Sequence, residues 1–341
     1  MRLLFSVFIC LLYFTVSSQQ TYVPDDNFEA YLEANGMGNG IANDDYVTTS
    51  NINTITNLNV VSQTILDLTG IEDFTALTVL NCYLNQLTSL DVSQNTALID
   101  LDCRSNQLTL LDVSQNTALT HLYCHYNQLT SLDVSNNAAL ADLDCRSNQL
   151  TLLDVSQNTA LDYLDCGVNQ LTALDVSNNT ALDVLYCSFN QLTSLDLSQN
   201  TALGILYCND NQLTCFNVKN GNNNNIYSFH SNLNPNLSCI EVDNPAWSNA
   251  NWTIIDPNVT FSTNCNYPLG CFNINPNSVQ EIINTISLYP NPTNENITIS
   301  IENFNGNIQT EVYDLIGNRL QISNETTISL QDYARGIYLL K

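Results

Sequence analysis

The sequence predicts a mainly β solenoid of 21-residue coils with a short N-terminal cap helix, followed by a small antiparallel β-sandwich domain. Three observations predict it. Cysteine recurs every 21 residues at Cys82, Cys103, Cys124, Cys145, Cys166, Cys187 and Cys208. Asparagine keeps the same period twice, at Asn85, Asn106, Asn127, Asn148, Asn169, Asn190 and Asn211, and from Asn95 through Asn116, Asn137, Asn158 and Asn179 to Asn200. From Ile286 onward, apolar and polar residues alternate between Asn and Gly turns, the pattern of short antiparallel strands. A fixed period of this length means that each coil buries its face only against its neighbours.

Taken in order, residues 1–18 read as a secretory signal peptide: Arg2, an apolar run from Leu3 to Val16, then small polar residues. That run is short for a membrane span and nothing later is longer, so no transmembrane segment is expected. Residues 19–54 form the N-terminal cap. Asp25 or Asp26 can cap a helix whose apolar face is Phe28, Tyr31 and Leu32, and Gly36 ends it. Residues 55–218 hold the coils, starting with an irregular one at Ile55–Phe74. Each regular coil has two extended pieces, as in Leu101-Asp102-Cys103 and Leu111-Asp112-Val113. A period of two points Leu, Cys and Val inward and Asp outward, so two parallel sheets are expected. Residues 219–270 are less regular coils and a C-terminal cap containing Trp247 and Trp252, 271–285 a polar linker, and 286–341 the β domain.

The pattern Leu-x-x-Leu-x-Cys-x-x-Asn-x-Leu, with Cys in the third leucine position, resembles the leucine-rich repeat family, in a short variety like that of bacterial internalins. The resemblance spans roughly Ile55 to Val242. Tyr289-Pro-Asn-Pro292, Val312-Tyr-Asp-Leu-Ile-Gly317 and Gly336-Ile-Tyr-Leu-Leu340 resemble the C-terminal sorting domain of the type IX secretion system of Bacteroidota. That resemblance implies handling by the type IX machinery, then release or attachment at the outer-membrane surface of a Gram-negative bacterium. Family members usually continue past Gly-Ile-Tyr with another strand and a basic tail. This sequence stops at Lys341, so either it ends short of the domain or the signal is incomplete.

Charge narrows the partners. Seven Lys and Arg face 33 Asp and Glu, a net charge of −26. Such a surface repels phosphate backbones and anionic lipid, which excludes nucleic acid. A protein or a glycan at the cell surface remains.

The cysteine column reads as core filler, because stacked inward side chains in single file cannot converge on a tetrahedral metal. Cys215, Cys239, Cys265 and Cys271 lie off the column in an exported chain and are disulfide candidates. Cys239–Cys265 is the favoured pair and Cys265–Cys271 its rival. Both asparagine columns are assigned to turns, their amides bonding backbone groups and one another along the stack. Asp112, Asp133, Asp154 and Asp175, with Asp91 and Asp196, point outward at one level; solvent, salt and the neighbouring Ser and Thr hydroxyls suffice to relieve their stacked charges, with a calcium ion as the alternative. No other cofactor is implied.

The second strand barely varies between coils, while the first varies at its outward positions. Asp102, Tyr123, Asp144, Asp165, Tyr186 and Tyr207 precede the cysteine; Arg104, His125 and Arg146 follow it. Tyr126 and Phe189 lie two further on, and His121 and Tyr163 inside the Leu-x-x-Leu spacing. Structure fixes the inward positions alone, so diversity confined to one outward face predicts a recognition surface, rich in residues found at binding hot spots. No Ser-His-Asp order, phosphate-binding Gly loop or metal-binding His pair occurs. The expectation is a non-enzymatic protein that binds a protein ligand, with glycan binding as the alternative and a polysaccharide-active solenoid enzyme behind both.

Overall fold

The computed structural model describes residues 18–268, 271 and 272 with their side chains, and beyond these the backbone of strands between 286 and 340. The expected signal peptide, apart from Ser18, and most of the linker lie outside the described residues. Contacts divide the chain into two compact units, Met1–Ile274 and Asn275–Lys341.

The first unit starts with its cap. Asp25 places one carboxylate oxygen on the N–H groups of Asn27 and Phe28, capping the helix Asp26–Ala34. Its other oxygen accepts from Leu66 and Asp67 of the first coil, so one side chain joins helix and solenoid. Phe28 and Leu32 are fully buried, Phe28 stacking on Phe74 at 6.3 Å. A two-stranded antiparallel sheet, Gln20–Tyr22 with Tyr46–Thr48, completes the cap.

The first strands form one nine-stranded parallel sheet, neighbours in sequence order from Asn57–Asn59 to Ser228–His230. The register is a strict 21-residue step from Leu80↔Leu101 to Leu185↔Leu206. The last step is longer: Leu206 pairs with Phe229. Behind the sheet, the Leu, Cys and Val columns are buried throughout. Each fully buried leucine contributes about 1.5–3 kcal/mol, and the sum along the stack is what holds a solenoid with no long helix. Burial pushes every thiol of the column up, so the seven cysteines are neutral apolar filler.

The second sheet is not as expected. Parallel pairing on that side is confined to Ser194–Asp196, Cys215–Asn217, Cys239–Glu241 and Thr260–Ser262, plus one bridge between Asp91 and Asp112. Through the middle coils the Leu-Asp-Val segments are extended but do not form a ladder. There the aspartate turns back on its own chain: Oδ1 of Asp112, Asp133, Asp154 and Asp175 each accepts the N–H two residues on at 2.9 Å. The same bond occurs at Asp196 inside a paired strand, so it accompanies the missing ladder and does not by itself cause it. The ladder forms where two disulfides, Cys215–Cys271 and Cys239–Cys265, cross-link the last coils. Cys239–Cys265 is the expected pair. Cys265–Cys271 gives way to Cys215–Cys271, whose Cα atoms lie 5.9 Å apart across 56 residues. Cys271 therefore belongs to the cap and not to the linker.

The asparagines hold the coils together. Asn106 donates from Nδ2 to the carbonyls of Cys82 and Cys103, and its Oδ1 accepts from Leu87, so one side chain bonds its own coil and the preceding one. Asn116, in the second column, donates to Val92 and to the backbone carbonyl of Asn95. The bonds along the stack run from side chain to backbone, and the buried Oδ1 atoms of this second column have no partner.

At the far end, Trp252 stacks on Phe229 at 4.1 Å, Trp247 meets it edge-on in the short helix Pro245–Asn251, and the Tyr267 hydroxyl bonds backbone of Phe216 and Cys239. The second unit contains two three-stranded antiparallel sheets. One pairs Ile286–Tyr289, Asn296–Ile301 and Thr327–Ser329; the other has Thr310–Tyr313 between Arg319–Ser323 and Leu339–Leu340. Among the described residues no helix is long and apolar enough to cross a membrane.

Candidate ligand-binding face

Because the first strands are in register, their outward residues stack into columns. One runs Asp100, His121, Asp142, Tyr163, Val184, Ile205, Ser228. Its neighbour runs Asp102, Tyr123, Asp144, Asp165, Tyr186, Tyr207, His230. The third holds Arg104, His125 and Arg146, followed by Gly167, Ser188 and Asn209.

The face divides into two halves. In the N-terminal half the charged residues bond one another. Arg104 Nε is 3.3 Å from Asp102 and its guanidinium lies 4.3 Å above the Tyr83 ring. Arg146 bridges two coils, 3.1 Å from Asp165 and 3.7 Å from Asp144. His125 Nδ1 approaches Asp144 Oδ2 at 3.1 Å, though not aligned for a hydrogen bond. The Tyr123 hydroxyl donates to Asp142 at 2.8 Å. Asp102, His125, Asp144 and Asp165 point away from the core yet are buried by these neighbours.

Burial sets their charge. Desolvation, with Asp165 adding repulsion, pushes Asp144 up to about 7 against the pull of Arg146. Desolvation, assisted by Arg146 and Arg104, takes His125 down to about 4. Asp100, Asp102, Asp142 and Asp165 are also raised, chiefly by burial. At neutral pH His125 is uncharged and Asp144 is poised to exchange a proton.

The C-terminal half is aromatic. Tyr163 meets Tyr186 edge-on at 5.9 Å, Tyr186 meets Tyr207 at 4.9 Å, and Tyr207 stacks flat on His230 at 4.0 Å. Val184 and Ile205 flank this row, and Tyr227 stands largely exposed beside it.

A fourth column borders both halves. The residue before each asparagine of the first column has positive φ: Leu84, Ser105, Tyr126, Ser147, Val168, Phe189, Asp210 and Leu233, all between 53° and 57° except Leu233 at 60°. This left-handed conformation suits Gly, Asn or Asp and is costly for a β-branched residue. Five of the eight are large and apolar, and these five, Leu84, Tyr126, Val168, Phe189 and Leu233, are 49–54% exposed. Tyr126 contacts His125 edge-on at 5.3 Å and lies under Arg146 at 5.7 Å.

Of the residues predicted from sequence, Tyr126 and Phe189 thus project from the rim. Tyr163, Tyr186 and Tyr207 form the row, Tyr123, Arg104 and Arg146 are half-buried in the charged network, and Asp102, His125, Asp144 and Asp165 lie beneath it. Missed were Leu84, Leu233, Tyr227 and His230. The signal for the rim was the position before each asparagine; for Leu233 and His230 it was hidden by the longer last coil. The aspartate column stays in its turns. Hydrogen bonds from Ser114 and Ser135 hold Asp112 and Asp133 below the usual carboxylate range, and no three of the column's carboxylates converge.

This architecture defines a leucine-rich repeat protein, a mainly β solenoid joined to a separate export domain. Residues 287–341 match the family described as the secretion system C-terminal sorting domain, which marks the chain for secretion or cell-surface export. Part of the repeat block is 44% identical over 74 residues to Internalin J of Listeria monocytogenes serotype 4b (strain F2365), covering 22% of this chain and 8% of that protein. The solved functional domain of InlJ from Listeria monocytogenes, which includes a cysteine ladder, is similar at 30% identity with 66% of each chain covered and a TM-score of 0.32. Internalin C2 of the F2365 strain is similar at 20% identity over 72% of this chain and all of that one, with a TM-score of 0.48. The chain therefore spans under two thirds of the InlJ domain and a small fraction of the curated relative.

Proposed function

We propose that this protein is a non-enzymatic, exported binding protein that recognises a protein ligand at the cell surface through the outward face of its first strands. The observation that carries this is the rim. Large apolar side chains stand exposed at positions where the backbone favours Asn or Gly, a choice that costs stability and supplies contact area. Beside them the aromatic row adds the residue types that dominate binding hot spots. The charged half adds selectivity through Asp100 and Asp142, which are only half-buried and favour a partner with Lys or Arg at its edge.

A pull-down compares the mature chain with a Tyr123/Tyr126/Tyr186/Phe189 alanine variant, matched for folding by circular dichroism. Loss of captured protein is expected; equal capture removes the proposal. Glycan binding is the second reading, favoured by exposed Tyr227 beside the aromatic row. Against it, Tyr207 and His230 already cover each other's faces, leaving less ring surface for a sugar. A glycan array with no binding at millimolar ligand eliminates that reading. The carboxylates of an enzyme reading, Asp102, Asp144 and Asp165, are engaged with Arg104, Arg146 and His125, so they support a pre-organised surface over a reaction centre.

A further inference from the structure

We propose that the N-terminal cap binds one calcium ion between Asp26, Glu29 and Asp45. One carboxylate oxygen from each lies within 4.8 Å of the others. Ligands of a single Ca²⁺ sit 2.3–2.6 Å from it, so no pair can be farther apart than about twice that distance, and this trio meets the limit. Asp26 and Glu29 come from the first turn of the cap helix, Asp45 from the loop that enters the strand Tyr46–Thr48.

Burial and charge point to an ion as well as the cluster does. Glu29 is 1% exposed; its Oε1 accepts from the Asp44 N–H, and its Oε2 has no hydrogen-bond partner. A buried, unpaired carboxylate oxygen is costly unless a cation or donor reaches it. The chain offers no cation nearby in sequence, because residues 3–103 contain no Lys, Arg or His. Among the described residues every ion pair lies elsewhere, on Arg104, His125, Arg146 and Lys219. Neighbouring carboxylates behave differently: Glu33 accepts from Asn39 and Gly40, and Asp44 from Asn39 and Tyr46. Unlike these two neighbours, the trio leaves a buried oxygen, Glu29 Oε2, without a partner. All-oxygen donors of this kind select a hard cation. Waters would complete the coordination, since Asp26 is exposed and Asp45 half-buried. The ion would tie the helix to the loop that follows it, and so hold closed the cap that covers the first coil.

The test uses the full chain, titrated with calcium chloride or with terbium, whose luminescence tyrosines sensitise, and melted in calcium and in chelator. One ion per chain is expected, with a melting temperature about 5 °C higher at a hundredfold excess over the dissociation constant. Asp26→Asn should weaken binding about tenfold and Asp45→Asn more, while Asp112→Asn/Asp133→Asn should leave it unchanged. Glu29→Gln provides a crossing signature: more stable than wild type in chelator, because a buried charge is gone, and less stable in calcium. No binding at millimolar calcium overturns the proposal, as does binding that survives Asp26→Asn and Asp45→Asn or is lost in the Asp112/Asp133 variant.

Discussion

The two sides of each coil carry the same 21-residue period and behave in opposite ways. The first-strand side varies in sequence and forms an unbroken nine-stranded sheet. The second-strand side is nearly invariant yet, through the middle coils, forms no ladder. On that side each aspartate accepts from its own chain two residues on, a bond that Asp102, Asp144 and Asp165 also make within the sheet. Variation is tolerated where backbone pairing and the buried asparagines already fix the coil. Recognition can be written on one side because the stacking does not depend on those residues.

The largest expected effects test this difference. Asn106→Ala, on the sheet side, removes two backbone bonds to the preceding coil and at least one within its own, and should cost about 3 kcal/mol in urea denaturation. Asn116→Ala removes two and leaves no new orphan at its already unpartnered Oδ1, so about 2 kcal/mol is expected. Equal losses would mean that the two sides share the load. Val168→Asn should act in the other direction, raising stability by about 1 kcal/mol as a β-branched residue leaves φ +53°.

A pH series sharpens the contrast within the face. Folded Asp144, raised from 3.8 to about 7, holds more protons than the unfolded chain in that range, so its contribution to stability falls as pH rises through it. Folded His125, lowered from 6.5 to about 4, holds fewer, so its contribution rises with pH between those values. The two offset each other below pH 6.5. Asp144→Asn should expose the His125 trend, with a melting temperature that climbs more steeply from pH 4 to pH 6.5 than wild type; an unchanged slope would show that this aspartate does not titrate with folding. The smallest effect belongs to Asp133→Ala on the invariant side, where an exposed turn bond is lost to water and thermal melting should barely move.

How much of this was legible in the sequence follows from what each feature depends on. Period and alternation dictated the solenoid, the inward columns and the cap helix, because those are properties of spacing alone. The missing middle of the second sheet was not legible: an outward aspartate reads the same whether its neighbour is a ladder or its own turn. Burial of Asp144 and Asp165 arises between coils, from His125 and Arg146 one coil away, while Arg104 covers Asp102 from within its own coil. The Cys215–Cys271 bond spans 56 residues and passes a composition boundary that resembled the start of a linker. Leu233 and Asn234 continue their columns two residues out of step, where a strict period passes them by.

We propose that the exposed apolar rim serves binding at the expense of stability. It is tested most directly by Tyr126→Asn/Val168→Asn/Phe189→Asn, measured for both melting temperature and protein capture. Asparagine suits the left-handed backbone, so a melting temperature at or above wild type with capture abolished is the predicted result. Capture at the wild-type level in that variant would contradict the account.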